Sequence, residues 1–150
     1  MNNISLSDLQ EAWAKDCEID DIELDRSSLS VPILHAKYSE ILADKKLSQI
    51  RYENQYKELY KNKWLWYTGK MSKEEIDERK WEYDPFNGLT VLKSDFDKFF
   101  EADNDIQRLK EKIEYLRVTV DYLQDVVGQL TWRHQTIKNI IEWRKFMAGS

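Results

Sequence analysis

The sequence predicts an all-α protein, and three observations predict it. Apolar residues recur at helical spacing along much of the chain, above all in its last third. Glycine and proline are scarce, four and two in 150 residues, while charged residues reach 34%. That composition suits long helices with wet faces rather than strands and turns. Hydrophobic content of 41%, with 13% aromatic, supports a modest core. The length is near the modal size of one domain, so a single folded unit over residues 1–150 is expected. It divides into a helical part to about residue 70, a connecting segment over 71–102 and a long helix over 103–147.

The elements follow in order. Residues 6–16 read as an amphipathic helix with Leu6, Leu9 and Trp13 on one stripe and Ser5 or Ser7 as its cap. The acidic run Asp16–Asp25 reads as a linker. A second helix is expected to begin near Ser27–Ser30, which would place Pro32 in its first turn, where a missing N–H costs least. Leu34, Tyr38, Ile41 and Leu42 form its apolar stripe. Asp44-Lys45-Lys46 is either a break or continuous helix, and Gly69 is the natural stop. Ser72-Lys73-Glu74-Glu75 has the form of a capping box and predicts a short helix to about Tyr83. Asp84–Gly88 is a turn by composition; Leu89–Leu92 is a short strand or merely extended.

The last third carries the strongest periodicity. Ile106, Leu109, Ile113, Leu116, Val120, Leu123, Val127 and Leu130 alternate spacings of three and four, continuing to Ile137 and Ile141. This is a heptad seam on a helix from about Asn104 to Phe146. Such a helix would run roughly 60 Å, against about 30 Å for a globule of this size. The seam therefore serves packing within the chain and contact between copies. Ile113, Leu116, Val120, Leu123, Val127 and Leu130 are the candidate oligomerisation residues. The seam position after Leu130 falls on His134, as a core polar residue, a register-setting contact or a solvent-facing side chain.

The net charge is −5, but it is segregated. Residues 1–44 carry −7, residues 45–73 carry +6 and residues 74–150 carry −4. At a Debye length of about 8 Å a ligand feels the local patch more than the total. The basic segment contains Lys57-Glu58-Leu59-Tyr60-Lys61-Asn62-Lys63-Trp64-Leu65-Trp66-Tyr67-Thr68-Gly69-Lys70, with four lysines and four rings. Cations beside aromatic faces suit a single strand: charge for phosphates, rings for unstacked bases. Lys57, Lys61, Lys63 and Lys70, with Trp64, Trp66 and Tyr67, are the candidate DNA-binding residues. Against this, the rings could anchor a core, and Lys61 and Lys63 cannot share one side of an ideal helix. Tyr52, Tyr56 and Tyr60 recur every four residues beside them.

Other classes are excluded or disfavoured. Cys17 is alone and the only histidines are His35 and His134, so no zinc spacing exists and no metal is expected. No nucleotide-binding glycine loop or nucleophile elbow is present, so neither an enzyme nor a cofactor is expected. Met1–Ser5 lacks the regions of a signal peptide, and no apolar run approaches the roughly 18 residues of a membrane span. An intracellular protein with no membrane partner is expected.

These residues resemble the UvsY family, the recombination mediators of T4-like phages. Ser7-Asp8-Leu9-Gln10-Glu11, Lys15-Asp16 and Ile19-Asp20 are similar to that family's opening. Lys61-Asn62-Lys63, then Trp66-Tyr67-Thr68-Gly69, are similar to its basic-x-basic motif and neighbours, with Trp64-Leu65 as a departure. Thr90-Val91-Leu92 and Arg144–Gly149 are further points of contact. The resemblance implies a non-enzymatic accessory protein of the infected host cell's cytoplasm. It implies binding to single-stranded DNA, helping a RecA-like recombinase load onto DNA coated by single-strand-binding protein, and a ring-like homo-oligomer, heptameric by family resemblance. It places the DNA-contacting basic pair on Lys61 and Lys63. The alternative from another class is a coiled-coil adaptor docking an acidic protein partner through the same basic-aromatic helix.

Overall fold

A computed structural model describes residues 3–149; Met1 and Asn2, part of the stretch read for a signal sequence, and Ser150 lie outside them. The architecture is all-helical, with no strand among the described residues. Among the described residues five α-helices run α1 Leu6–Asp16, α2 Leu24–Tyr67, α3 Lys73–Arg79, α4 Phe96–Ala102 and α5 Asn104–Met147, with a 3-10 turn at Lys93–Asp95. Leu89–Leu92, expected as strand or extended chain, forms no strand. No helix is long and apolar enough to cross a membrane among the described residues.

Local chemistry sets most boundaries. Ser5 caps α1 with a full capping box: its hydroxyl accepts from the Asp8 N–H, and the Asp8 carboxylate accepts from the Ser5 N–H. The α2 start differs from expectation. Asp20 Oδ1 accepts from the N–H groups of Ile22 and Glu23 at 3.0 and 3.2 Å, so the helix opens at Leu24 rather than near Ser27–Ser30. Pro32 then lies inside the helix rather than in its first turn. The Ser28 carbonyl, which loses its donor to the proline, is on an exposed residue where water can serve it. Helix α2 continues through Asp44-Lys45-Lys46 without a break. It stops at Gly69 (φ 72°), where Gly69 N–H donates to Trp66 O and Lys70 N–H to Leu65 O, the paired bonds of a Schellman stop. Ser72 caps α3, which ends earlier than Tyr83 because Lys80 turns left-handed (φ 57°). Asp84 closes the expected turn, accepting from the N–H groups of Phe86 and Gly88.

The chain forms two compact units. One comprises the described residues to Ser48 together with those from Leu116 on; the other is Gln49–Tyr115. In the first, Leu9, Tyr38 and Ile41 bury against Leu123, Val126 and Leu130, with Trp13 edge-on to Tyr38 at 5.4 Å. Arg133 is buried and donates from its two terminal nitrogens to Asp16 O and Glu18 O, holding the end of α1. In the second, Trp66, Tyr67 and Met71 pack with Ile76, Phe100 and Ile106. Trp81, Phe86, Phe96 and Phe99 close around them. The segment 71–102 thus supplies much of a core and does more than connect.

The seam of α5 faces inward. Ile113, Leu116, Val120, Leu123 and Leu130 are buried within the single chain, and Val127 packs against the first core. Burial accounts for these side chains by packing inside one chain, the first of the two roles expected of the seam, and leaves little of them exposed for contact between copies. Beyond Leu130 the inward positions are Arg133 and Ile137, while His134 is exposed, because the stripe drifts from strict heptad spacing at 3.6 residues per turn. The outward face of α5 instead carries Trp132, Trp143, Phe146 and Met147, all exposed, with Trp143 stacked on Phe146 at 5.8 Å; Ile141, on the seam side, is partly exposed where the core ends.

Candidate nucleic-acid interface

Helix α2 sorts six of the seven candidate DNA-binding residues onto two faces. Lys57, Lys61 and Trp64 are exposed, spaced four and three residues apart and therefore on one side of the helix. Tyr60 joins them at 42% exposure, and Trp64 stands at 41%. Lys70, exposed just past the helix stop, sets its ammonium 4.4 Å from the Trp64 ring. The result is a surface of three lysines and two partly free rings.

Lys63, Trp66 and Tyr67 point the other way, and here the expectation is corrected. Lys63 is 3% exposed; its ammonium lies 3.1 Å from Asp103 Oδ2 and 2.8 Å from Asp105 Oδ2. It also sits over the rings of Trp66 and Trp81 at 4.6 and 4.0 Å. A lysine is almost never fully buried unless paired, and this one is paired twice and boxed by two indoles. A phosphate cannot reach it in the folded chain. The reason is angular: two residues along an α-helix turn about 200°, so one lysine of the pair must face inward when the other faces water.

Trp66 belongs to the core through its indole N–H, which donates to Glu82 O at 2.8 Å. The Tyr67 hydroxyl donates to Asp103 Oδ2 at 2.7 Å. Burial first, then that hydrogen bond and the Asp103 charge, push the Tyr67 phenol well above its ordinary value of 10.0. The other oxygen of Asp103 accepts from the N–H groups of Asp105 and Ile106 at 3.0 and 3.1 Å. Asp103 therefore starts α5, holds Tyr67 and neutralises Lys63 at once. Sequence reasoning missed this residue. The signal was present in Asp103-Asn104-Asp105-Ile106, an acidic cap before an apolar run.

Among the described residues no cluster of three or more His, Cys, Asp or Glu is placed to hold a metal ion. What the arrangement offers is a non-covalent surface: cations free to neutralise phosphates, and rings half free to stack.

An all-helical chain with an exposed cation-aromatic strip on a long helix is a candidate single-strand-binding accessory protein. The model of the UvsY family, described as recombination, repair and ssDNA binding protein UvsY, matches residues 12–150. The chain belongs to that family. It is similar to the recombination protein uvsY of Enterobacteria phage T4, 26% identical over 144 residues that span 96% of this chain and 98% of the relative. Two crystal structures of the bacteriophage T4 recombination mediator protein UvsY share the fold. Lattice type II gives a TM-score of 0.80 at 23% identity, covering 97% of this chain and 99% of the other. Lattice type IV gives 0.78 at 22%, covering 96% and 99%.

Proposed function

We propose that this protein is a non-enzymatic recombination mediator that binds single-stranded DNA through Lys57, Lys61 and Lys70, with Trp64 and Tyr60 stacking on bases. In this reading it helps a RecA-like recombinase load onto DNA coated by single-strand-binding protein, in the cytoplasm of the infected host cell. The observation that carries it is the shared exposed face of Lys57, Lys61 and Trp64, with Lys70 set against the Trp64 ring. Lys63, Trp66 and Tyr67 support that face from behind by fixing α2 to α5 within the second unit.

Assembly multiplies the effect. Each strip supplies few phosphate contacts, but several on a ring-like homo-oligomer engage one strand intramolecularly, raising avidity by about 10²–10⁴. The surface suited to join copies is the outward face of α5 at Trp132, Trp143 and Phe146; the buried seam holds each chain together. The heptameric state rests on family resemblance. A ring holding a strand along its strips would compete with the coat protein and present bare DNA to the recombinase.

The test is fluorescence titration of oligo-dT at several salt concentrations. Quenching of exposed indole emission and affinity falling with salt support the reading. Salt-independent or absent binding by the oligomer contradicts it. The alternative, an acidic protein partner on the same strip, finds no separate support in the geometry.

A further inference from the structure

Beside the lysine strip, in the second unit, lies a cavity of about 280 Å³ of which the function described so far uses only Tyr60, at its rim. Its apolar wall is Tyr56, Tyr60, Phe100 and Ile106; its polar wall is Asp97, Glu101 and Lys110. Tyr60 stacks on Phe100 at 5.3 Å and an interplanar angle of 26°, and Tyr56 lies 6.1 Å from Tyr60. Tyr60 thus belongs both to this cavity and to the exposed strip. The volume is near the roughly 300 Å³ lower end of small-ligand sites, which suits one flat heterocycle. The carboxylates of Asp97 and Glu101 make no ion pair or hydrogen bond among the described residues, and both residues are exposed.

We infer that this cavity receives one base of the bound strand and selects for bases that carry an amino group. The inference rests on the reading of the strip as a single-strand surface. Ionised carboxylates only accept hydrogen bonds. Cytosine offers an N4 amino group to such acceptors, the pairing by which acidic side chains read cytosine edges. Uracil and thymine turn a carbonyl oxygen to the same place, which two carboxylates repel. The tyrosines supply the stacking that any base accepts, and Lys110 supplies a cation that keeps a phosphate tolerable beside two negative charges. Tyr60, next to Lys57 and Lys61, leads from strip to cavity. An arginine or lysine side chain of a protein partner would satisfy the same carboxylates, but Lys110 and the adjoining lysines oppose a basic peptide and favour a polyanion.

The experiment compares equal-length oligo-dC and oligo-dU at neutral pH, by anisotropy, with the full-length oligomer. These pyrimidines have the same size and differ at the amino or carbonyl edge. The wild type is expected to prefer dC by about fivefold or more, the low end for a well-made base contact. Asp97→Ala/Glu101→Ala, at two exposed positions, should cut that preference below about twofold while keeping dU affinity equal or higher, since two negative charges leave the surface. Equal affinity of the wild type for both strands, or a preference that survives the double substitution, overturns the cavity assignment and leaves the strip standing. Displacement of dC by an arginine-rich peptide in the wild type but not the double variant, with no base preference, assigns the cavity to a protein and overturns it likewise. No binding of either strand overturns the strip and the cavity together.

Discussion

At the scale of single residues, Lys61 and Lys63 have opposite roles despite standing two positions apart. Lys63 is closed in by Asp103, Asp105, Trp66 and Trp81. Removing one partner of a buried ion pair costs about 3–5 kcal/mol, because the remaining charge is stranded. Lys63→Ala should therefore lower the free energy of unfolding, measured by urea titration, by about that amount, and weaken DNA binding only as the fold is lost. Lys61→Ala, at an exposed position, should change stability by less than about 0.5 kcal/mol and yet weaken single-strand binding. The Tyr67 hydroxyl gives a second residue-level expectation. Its raised pKa means the folded state prefers the neutral phenol, so its contribution is complete below pH 10 and is lost as pH rises through the higher folded value. Tyr38, beside Asp16, is shifted in the same direction and acts with it. Stability measured by urea unfolding from pH 8 to 11 should fall at the alkaline end, and less steeply in Tyr67→Phe. An identical pH profile in that variant would remove the Tyr67–Asp103 hydrogen bond from the account.

At the scale of elements, α5 has a buried side that packs the core and an exposed side proposed to join copies. Leu123 is fully buried between α1 and α2 residues of the first core, so Leu123→Ala should cost about 2–5 kcal/mol of stability. Trp143→Glu/Phe146→Glu changes only exposed rings. It should leave the helical spectrum intact and shift sedimentation toward smaller species, while an unchanged assembly would move the contact elsewhere. Much of this was legible in the sequence. Periodicity gave α1 and α5 nearly to the residue, and Gly69 gave the end of α2. The α2 start was not legible, because Asp20 sets it with a side chain seven positions before the first serine expected to cap, and an exposed proline was assumed to need a first turn. Of the two roles read from the seam, packing inside the chain is the one its burial bears out, because heptad spacing reports that a face is covered, not which helix covers it. The inward turn of Lys63 was half legible, since the two lysines could not share a side. Its carboxylate partners lie some forty residues away and no local signal joins them.

At the scale of the whole molecule, an acidic chain of net charge −5 carries its surplus of positive charge in one segment, residues 45–73. The fold then removes Lys63 from that surplus and leaves Lys57, Lys61 and Lys70 beside Trp64 and Tyr60. The central claim is that these three exposed lysines, and not the buried one, carry the strand. The most direct test is the salt dependence of single-strand affinity for Lys57→Ala/Lys61→Ala/Lys70→Ala against wild type, with the unfolding curve of each recorded alongside. Each phosphate contact on a single strand contributes about 0.7 to the slope of log affinity against log salt. The slope of the triple variant should therefore be shallower by about 2 per engaged protomer, with the unfolding midpoint unchanged. An unchanged slope in a folded triple variant, together with binding lost in a Lys63→Ala protein that keeps its stability, would contradict the account.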